Sequence, residues 1–276
     1  VTATGSTPAH PWTSTTTRVI AHRGASADAP ENTLAAVERA IDDGSAVVEC
    51  DVQRTADGEL VVLHDATLAR TTDAGSVFPR RKPWNVADLT LDQVRRLDAG
   101  AWFGAEFAGQ RVPTLREWID AIGTRAGMLI EVKHPDRKPG IENDLAETLR
   151  ASQWARRALH DGRLVVQSFD HDWLRHAYAP LGDGVPLGAL CLARPSSRQV
   201  RAISEWADQL NPRLGATDRA LVDAAHECGL SINVWTVNGT TDMRRLIDAR
   251  VDGIITNKPA KLAALARKHG GLTVGA

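Results

Sequence analysis

Three cysteines stand in 276 residues: Cys50, Cys191 and Cys228. They are odd in number, widely spaced and without a CxxC pair, which argues against a disulfide framework and against a zinc knuckle. They are expected to act as small buried hydrophobes. Net charge is also missing, because 33 basic side chains face 34 acidic ones for a formal charge of -1. Such a balance supplies no global field to gather nucleic acid or an anionic membrane, so any anionic ligand must be held by local groups. No stretch approaches the roughly 18 consecutive apolar residues of a membrane helix. Residues 1–17 lack hydrophobic periodicity and the charged-then-apolar order of a signal sequence. They are expected to form a disordered leader, with 271–276 as a short tail. A first residue of Val leaves open a fragment, a trimmed form or a mature secreted form; a cytoplasmic location is the expectation favoured.

What is present is a repeat. The 43% hydrophobic content suffices for one core, burying roughly three quarters of the unfolded surface. From Val19 onward, short β-branched runs alternate with amphipathic segments, the pattern of parallel strands joined by crossover helices. Strands are predicted over 19–22, 47–53, 129–133, 164–167, 187–190, 207–210, 231–235 and 253–256. Eight such units over 18–270 predict a single (β/α)8 TIM-barrel domain. Helices are predicted over 33–43, 115–124, 142–152, 171–177, 197–205, 218–228, 241–249 and 259–268. Asn32-Thr33, Thr114, Asp170, Ser196, Thr217 and Thr240 are placed to cap their first turns. One interval breaks the repeat: an apolar run over 60–63 is followed by a small insertion after the second strand, about 66–112, with a short helical pattern near 91–97. Loops after barrel strands build the active site, so this insertion is expected to shape the mouth and carry specificity.

Side chains alternate along a strand, so Glu49 and Asp51 share one face while Val48, Cys50 and Val52 share the other. The same spacing puts Glu131 and Lys133 together at the end of another strand. Two like charges about 4 Å apart at an effective dielectric near 20 repel by about 4 kcal/mol, so converging carboxylates need a cation, a shared proton or a basic partner. All-oxygen ligation favours Mg²⁺ or Ca²⁺. An interior salt bridge to Lys133 or Arg54 is the open alternative. His22-Arg23-Gly24 and His64-Asp65 both fall at C-terminal strand ends. A lone histidine there is commonly structural. Two histidines with three acids, Arg23 and Lys133 make up what phosphodiester cleavage needs: a base, an acid and cationic groups for the phosphoryl oxygens.

His22-Arg23-Gly24, Pro30-Glu31-Asn32-Thr33, Glu49-x-Asp51, His64-Asp65, Glu131-x-Lys133, Gln167-Ser168-Phe169, Val234-Trp235-Thr236-Val237-Asn238 and Asp252-Gly253-Ile254-Ile255-Thr256 follow one another in an order that resembles the glycerophosphodiester phosphodiesterase family. The resemblance runs from Val19 to about Lys268. It implies that Glu49, Asp51 and Glu131 hold a divalent cation, Mg²⁺ or Ca²⁺, that Arg23 and Lys133 grip the phosphate, and that His22 and His64 are the acid–base pair. The implied reaction is hydrolysis of a small-molecule glycerophosphodiester to glycerol 3-phosphate and an alcohol. In that family the substrate's own hydroxyl is thought to attack first, giving a cyclic phosphate that water opens.

Phe169 and Trp235 are expected either to line the glycerol or alcohol side of the pocket or to cap the barrel core. Glu31 and Asn32 are expected to shape the loop and cap the next helix. Asn238-Gly239 is first a turn signal. Arg80-Arg81-Lys82 is expected to be a solvated loop. One departure stands out: Thr256-Asn257-Lys258-Pro259 carries an amide where the family's pattern has T-D-x-P, with an expected effect on loop geometry or substrate reach. A competing reading is a phospholipase-D-like lyase or lysophospholipase D acting on lipid diesters, which would need an apolar lip. Trp84, Trp102, Phe103 and Phe107 in the insertion are candidates for it. A barrel that only binds a diester would be favoured by a missing histidine or acid, and none is missing. A nucleic-acid polymer fits poorly with the absence of a basic stripe.

Overall fold

The computed structural model describes residues 16–182 and 184–269. Nine strands form one sheet: β1 (Arg18–Ala21), β2 (Val47–Arg54), β3 (Leu60–Val62), β4 (Gly127–Val132), β5 (Leu164–Ser168), β6 (Leu187–Cys191), β7 (Gln209–Pro212), β8 (Ser231–Val234) and β9 (Gly253–Thr256). All but β3 pair in parallel, and pairing of β1 with both β2 and β9 closes them into a ring. The expected eight-stranded parallel barrel is therefore present, with β3 added antiparallel to the end of β2. Among the described residues eleven α-helices accompany the strands: α1 (Leu34–Asp42), α2 (Ala74–Val77), α3 (Leu91–Val94), α4 (Leu115–Ile122), α5 (Ile141–Ala151), α6 (Gln153–His160), α7 (His171–Leu181), α8 (Ser197–Ile203), α9 (Arg219–Glu227), α10 (Thr240–Asp248) and α11 (Pro259–His269). Among the described residues no helix is long and apolar enough to cross a membrane.

Two-residue alternation sorts the barrel. Val48, Cys50 and Val52 face outward into a cluster with Leu115, Trp118, Ile119 and Ile122 of α4, a spacing that presents one helical face. Thr114 starts that helix with a capping box closed by Glu117. Inward, Ile20, Val47, Leu129, Val165 and Ile255 form an apolar cluster. The remaining interior is polar: Asn211 donates to Gln167 Oε1 at 2.8 Å, and Asn233 donates to Gln209 Oε1 and Asn211 Oδ1 at 2.9 Å each. The sixth expected strand, placed at 207–210, is found at Gln209–Pro212. Asn211 looks like a loop residue by composition, yet it and Gln209 are fully buried because each finds a partner inside the ring.

Other differences are local. An unanticipated helix, α6, begins directly after α5 because Ser152 caps it, accepting from the Ala155 N–H. Thr217 and Thr240 do not cap: Asp218 caps α9, and Gly239 precedes α10 without a side-chain bond. Cys50 is buried as expected, whereas Cys191 and Cys228 are partly exposed. The expected leader and tail lie outside the described residues except for 16 and 17, and Thr17 is buried, donating to the Val251 carbonyl at 2.8 Å.

Candidate active site

The acids sit at the C-terminal ends of adjacent strands. In the β2–β4 register Asp51 stands beside Glu131, and ligand oxygens from Glu49, Asp51 and Glu131 lie within 4.8 Å of one another. The loop after β1 wraps over them. Arg23 takes a left-handed turn, φ 58°, which aims its backbone N–H at Glu49 Oε2, 2.8 Å away. Its Nε lies 3.0 Å from Asp51 Oδ2, which also accepts from Asn32 Nδ2 at 2.8 Å. Gly24, at φ +79°, lets the chain return against α1, since a Cβ there would meet the Ala36 backbone at 2.6 Å. Lys133 Nζ lies 2.5 Å from Glu131 Oε1 and 3.5 Å from Asp51 Oδ1.

The electrostatics follow from burial and crowding. Burial, reinforced by Asp51 and then Glu131, holds the Glu49 carboxyl well above the usual carboxylate range. Burial and the Asp51 charge push Glu131 up to about 7 against the pull of Lys133. Asp51 goes the other way, because Arg23 and Lys133 outweigh its burial and hold it below the usual range. Glu49 Oε1 and Asp51 Oδ1 are buried and accept no hydrogen bond. Orphaned oxygens at the focus of three crowded carboxylates fit a hard divalent cation such as Mg²⁺ or Ca²⁺, for which Glu49, Asp51 and Glu131 are the available ligands. The alternative of an interior salt bridge is partly met by Lys133. Arg54 turns away to Asp144, 2.8 Å distant.

Both histidines are engaged through Nδ1. His22, buried after β1, has Nδ1 2.7 Å from Asn257 Oδ1, and burial followed by the Arg23 charge lowers its pKa to about 4. His64 Nδ1 lies 2.6 Å from Asp65 Oδ1; burial lowers its pKa while the Asp51 charge and the Asp65 hydrogen bond oppose that shift. Nε2 of each ring neither accepts nor donates a hydrogen bond among the described residues. Asn257, the departure from the family's T-D-x-P pattern, thus touches the His22 ring, and Asn238 Oδ1 holds its backbone N–H at 2.9 Å.

The cavity between these groups measures about 80 Å³ and is bounded by both histidines, Glu49, Glu131 and Lys133 on one side and by Phe169, Leu190, Trp235 and Ile255 on the other. Phe169 and Trp235 meet edge to face, centroids 5.5 Å apart, and Trp235 Nε1 donates to the Asn211 carbonyl at 2.7 Å. All nine residues expected at the site therefore gather at one end of the barrel. Two wider clefts share lining residues with it. One of about 410 Å³ passes Glu131, Lys133, Asp136 and Asp170; the other, about 420 Å³, passes Phe169, Leu190, Leu192, Pro195 and Ile203. A further hollow of about 460 Å³ near Trp206 and Asp208 holds none of the site residues and carries no chemistry here.

The insertion does not line the small cavity. It packs on its own core of Leu68, Ala74, Val86, Leu89, Val94 and Leu97, and Trp102, Phe103 and Phe107 stack edge to face on one another. Arg70 is the insertion's link to the site. It bonds to both Asp65 and Glu31, and Glu31 in turn accepts from Arg23 at 2.9 Å. Glu31 and Asn32, expected to serve the loop and a cap, instead support Arg23 and Asp51; Thr33 alone supplies the cap of α1. The sequence signal for this link is the density of charge around Glu31 and Arg70, which lie 39 residues apart.

A family model described as the glycerophosphoryl diester phosphodiesterase family matches residues 22–261. A glycerophosphodiester phosphodiesterase of Caldanaerobacter subterraneus subsp. tengcongensis is 38% identical over 256 residues, covering 92% of this chain and 99% of its own. The fold is similar to that of a phosphodiesterase of Oleispira antarctica solved in complex with its product sn-glycerol-3-phosphate, with a TM-score of 0.75, 29% identity and coverage of 90% and 96% of the two chains. A glycerophosphodiester phosphodiesterase of Agrobacterium tumefaciens superposes with a TM-score of 0.71 at 27% identity, covering 90% and 99%.

Proposed function

Because the chain belongs to the glycerophosphoryl diester phosphodiesterase family, we propose that it hydrolyses glycerophosphodiesters to glycerol 3-phosphate and an alcohol with a divalent cation held by Glu49, Asp51 and Glu131. The observation that carries this reading is the convergence of two Nδ1-anchored histidines, three crowded acids, Arg23 and Lys133 on a cavity of about 80 Å³. When bound, the cation supplies charge stabilisation for the phosphoryl group. Arg23 and Lys133 bind the phosphoryl oxygens. His22 is neutral at pH 7 and is assigned the proton from the attacking hydroxyl. His64, whose imidazolium Asp65 stabilises, is assigned delivery of a proton to the leaving oxygen. After a cyclic phosphate forms, the two exchange roles as water opens it. Phe169 and Trp235 offer apolar surface to the glycerol carbons.

The test is release of glycerol 3-phosphate from glycerophosphocholine and glycerophosphoethanolamine, with EDTA and after Mg²⁺ or Ca²⁺ is restored. His22→Ala and His64→Ala should each cost about 10² to 10⁴ in kcat. Turnover indifferent to EDTA, or largely retained in both single variants, would sink the assignment.

A second reading has an observation of its own. Leu192 is 64% exposed and Phe169 39%, and both line the cleft of about 420 Å³. That apolar lip, which shares Phe169 and Leu190 with the lining of the small cavity, suits a diester bearing a hydrocarbon chain, as in lysophospholipase D chemistry.

A further inference from the structure

We propose that Arg70 is a positioning residue that couples the phosphate-gripping arm of the site to its second histidine, a role resting on the functions proposed above for Arg23 and His64. Its guanidinium spans two carboxylates. Nη1 and Nη2 donate to Glu31 at 2.9 and 2.8 Å, while Nε and Nη2 donate to Asp65 at 2.7 and 3.1 Å. Each carboxylate then holds one functional side chain: Glu31 accepts from Arg23 Nη1 at 2.9 Å, and Asp65 meets His64 Nδ1 at 2.6 Å. The result is an unbroken line, Arg23 to Glu31 to Arg70 to Asp65 to His64, between two loops that the sequence keeps far apart.

The geometry needs a fork at Arg70. Without a cation there, Glu31 and Asp65 would face each other as like charges and each would draw its partner out of place. A lysine brings charge but no planar fork able to serve both carboxylates at once. The backbone that presents Arg70 is itself anchored: Leu68 is fully buried in the insertion core and its N–H donates to the Trp84 carbonyl at 3.0 Å. The insertion thus acts on the site through Arg70, without lining the cavity. The charged groups that face His64 are Asp51, Arg23, Lys133 and Asp65, so loss of Arg70 leaves Asp65 less compensated and favours the imidazolium.

Kinetics on glycerophosphocholine with Arg70→Ala, Arg70→Lys, Asp65→Asn and the Arg70→Ala/Asp65→Asn pair decide it, with thermal unfolding recorded for each. Arg70→Ala should lower kcat and raise KM together, reducing kcat/KM about 10- to 100-fold, as loss of an outer hydrogen-bonding partner does. Arg70→Lys should recover little of this, and the double variant should lose clearly less than the product of the single losses. A residue that only stabilises the fold would lower the unfolding midpoint and leave the kcat and KM of the folded fraction alone. Activity of Arg70→Lys and Arg70→Ala within about threefold of wild type, or losses that multiply, would overturn the proposal. If the wild-type protein hydrolyses no diester, the proposed function falls, and Arg70 is judged by the His64 imidazole resonance in Arg70→Ala: a raised titration midpoint supports the coupling and an unmoved one overturns it.

Discussion

Nδ1 of His22 lies 2.7 Å from the amide oxygen of Asn257. An amide oxygen accepts the Nδ1 proton and so leaves Nε2 as the lone-pair nitrogen, but it brings no charge to stabilise an imidazolium. Asp65 does bring that charge to His64. The two histidines are therefore backed by chemically different partners, which is the basis for assigning them different first roles.

Asn257→Asp should consequently raise the pKa of His22. With its pKa lowered to about 4, wild-type His22 is neutral over the whole range above that value. A carboxylate at 257 should move the acid limb of kcat/KM upward by about one unit or more, with little change at pH 8. Asn257→Ala, which removes the acceptor, should lower kcat about 10- to 100-fold at every pH. Superimposable pH profiles for wild type and Asn257→Asp would show that this contact does not set the base.

Metal removal should have a pH signature. Glu131 is pushed up to about 7 and Glu49 is raised well above its ordinary value, so these two carboxyls hold more protons in the native apo protein than in the unfolded chain between the ordinary carboxylate range and about 7. Their contribution to the stability of the apo protein then falls as pH rises through that window, while His22, lowered to about 4, works in the opposite direction below its ordinary value. A cation relieves the same crowding and must displace those protons. Thermal unfolding with EDTA and with Mg²⁺ or Ca²⁺ should show a larger metal-induced gain at pH 8 than at pH 5.5. At a hundredfold excess over Kd the gain is about 2.7 kcal/mol. An equal or larger gain at the acid pH would contradict the proton linkage.

Leu192→Glu separates the two substrate classes. Leu192 lies on the cleft beyond Phe169 and touches none of the groups assigned to the phosphate or the cation. Hydrolysis of glycerophosphocholine should be unchanged. Turnover of a monoacyl diester, if the apolar lip serves a hydrocarbon chain, should fall about tenfold through lost apolar contact. Equal effects on both substrates, or none on the lipid, would remove the second reading.

Much of the site could be read before any folding was known. Alternation within Val48 to Val52 and within Ile130 to Lys133 decides which side chains share a face, because that depends only on the two-residue period of a strand. The eight β-branched runs likewise announce a parallel barrel, since each is buried by what surrounds it. The far end of β7 was missed for the converse reason: Asn211 is buried by partners on other strands, which no local pattern reports.

The sequence by itself determined the number of barrel strands, the order of the chemical groups and the pairing of Glu49 with Asp51 on one face. Tertiary structure alone decided that Asn257 backs His22, 235 residues away, that Glu31 and Asp65 share Arg70, and that the insertion supports the site without lining its small cavity. The physical reason is range. Strand periodicity is a property of neighbouring residues, whereas a hydrogen bond between loops exists only after barrel closure brings their ends together.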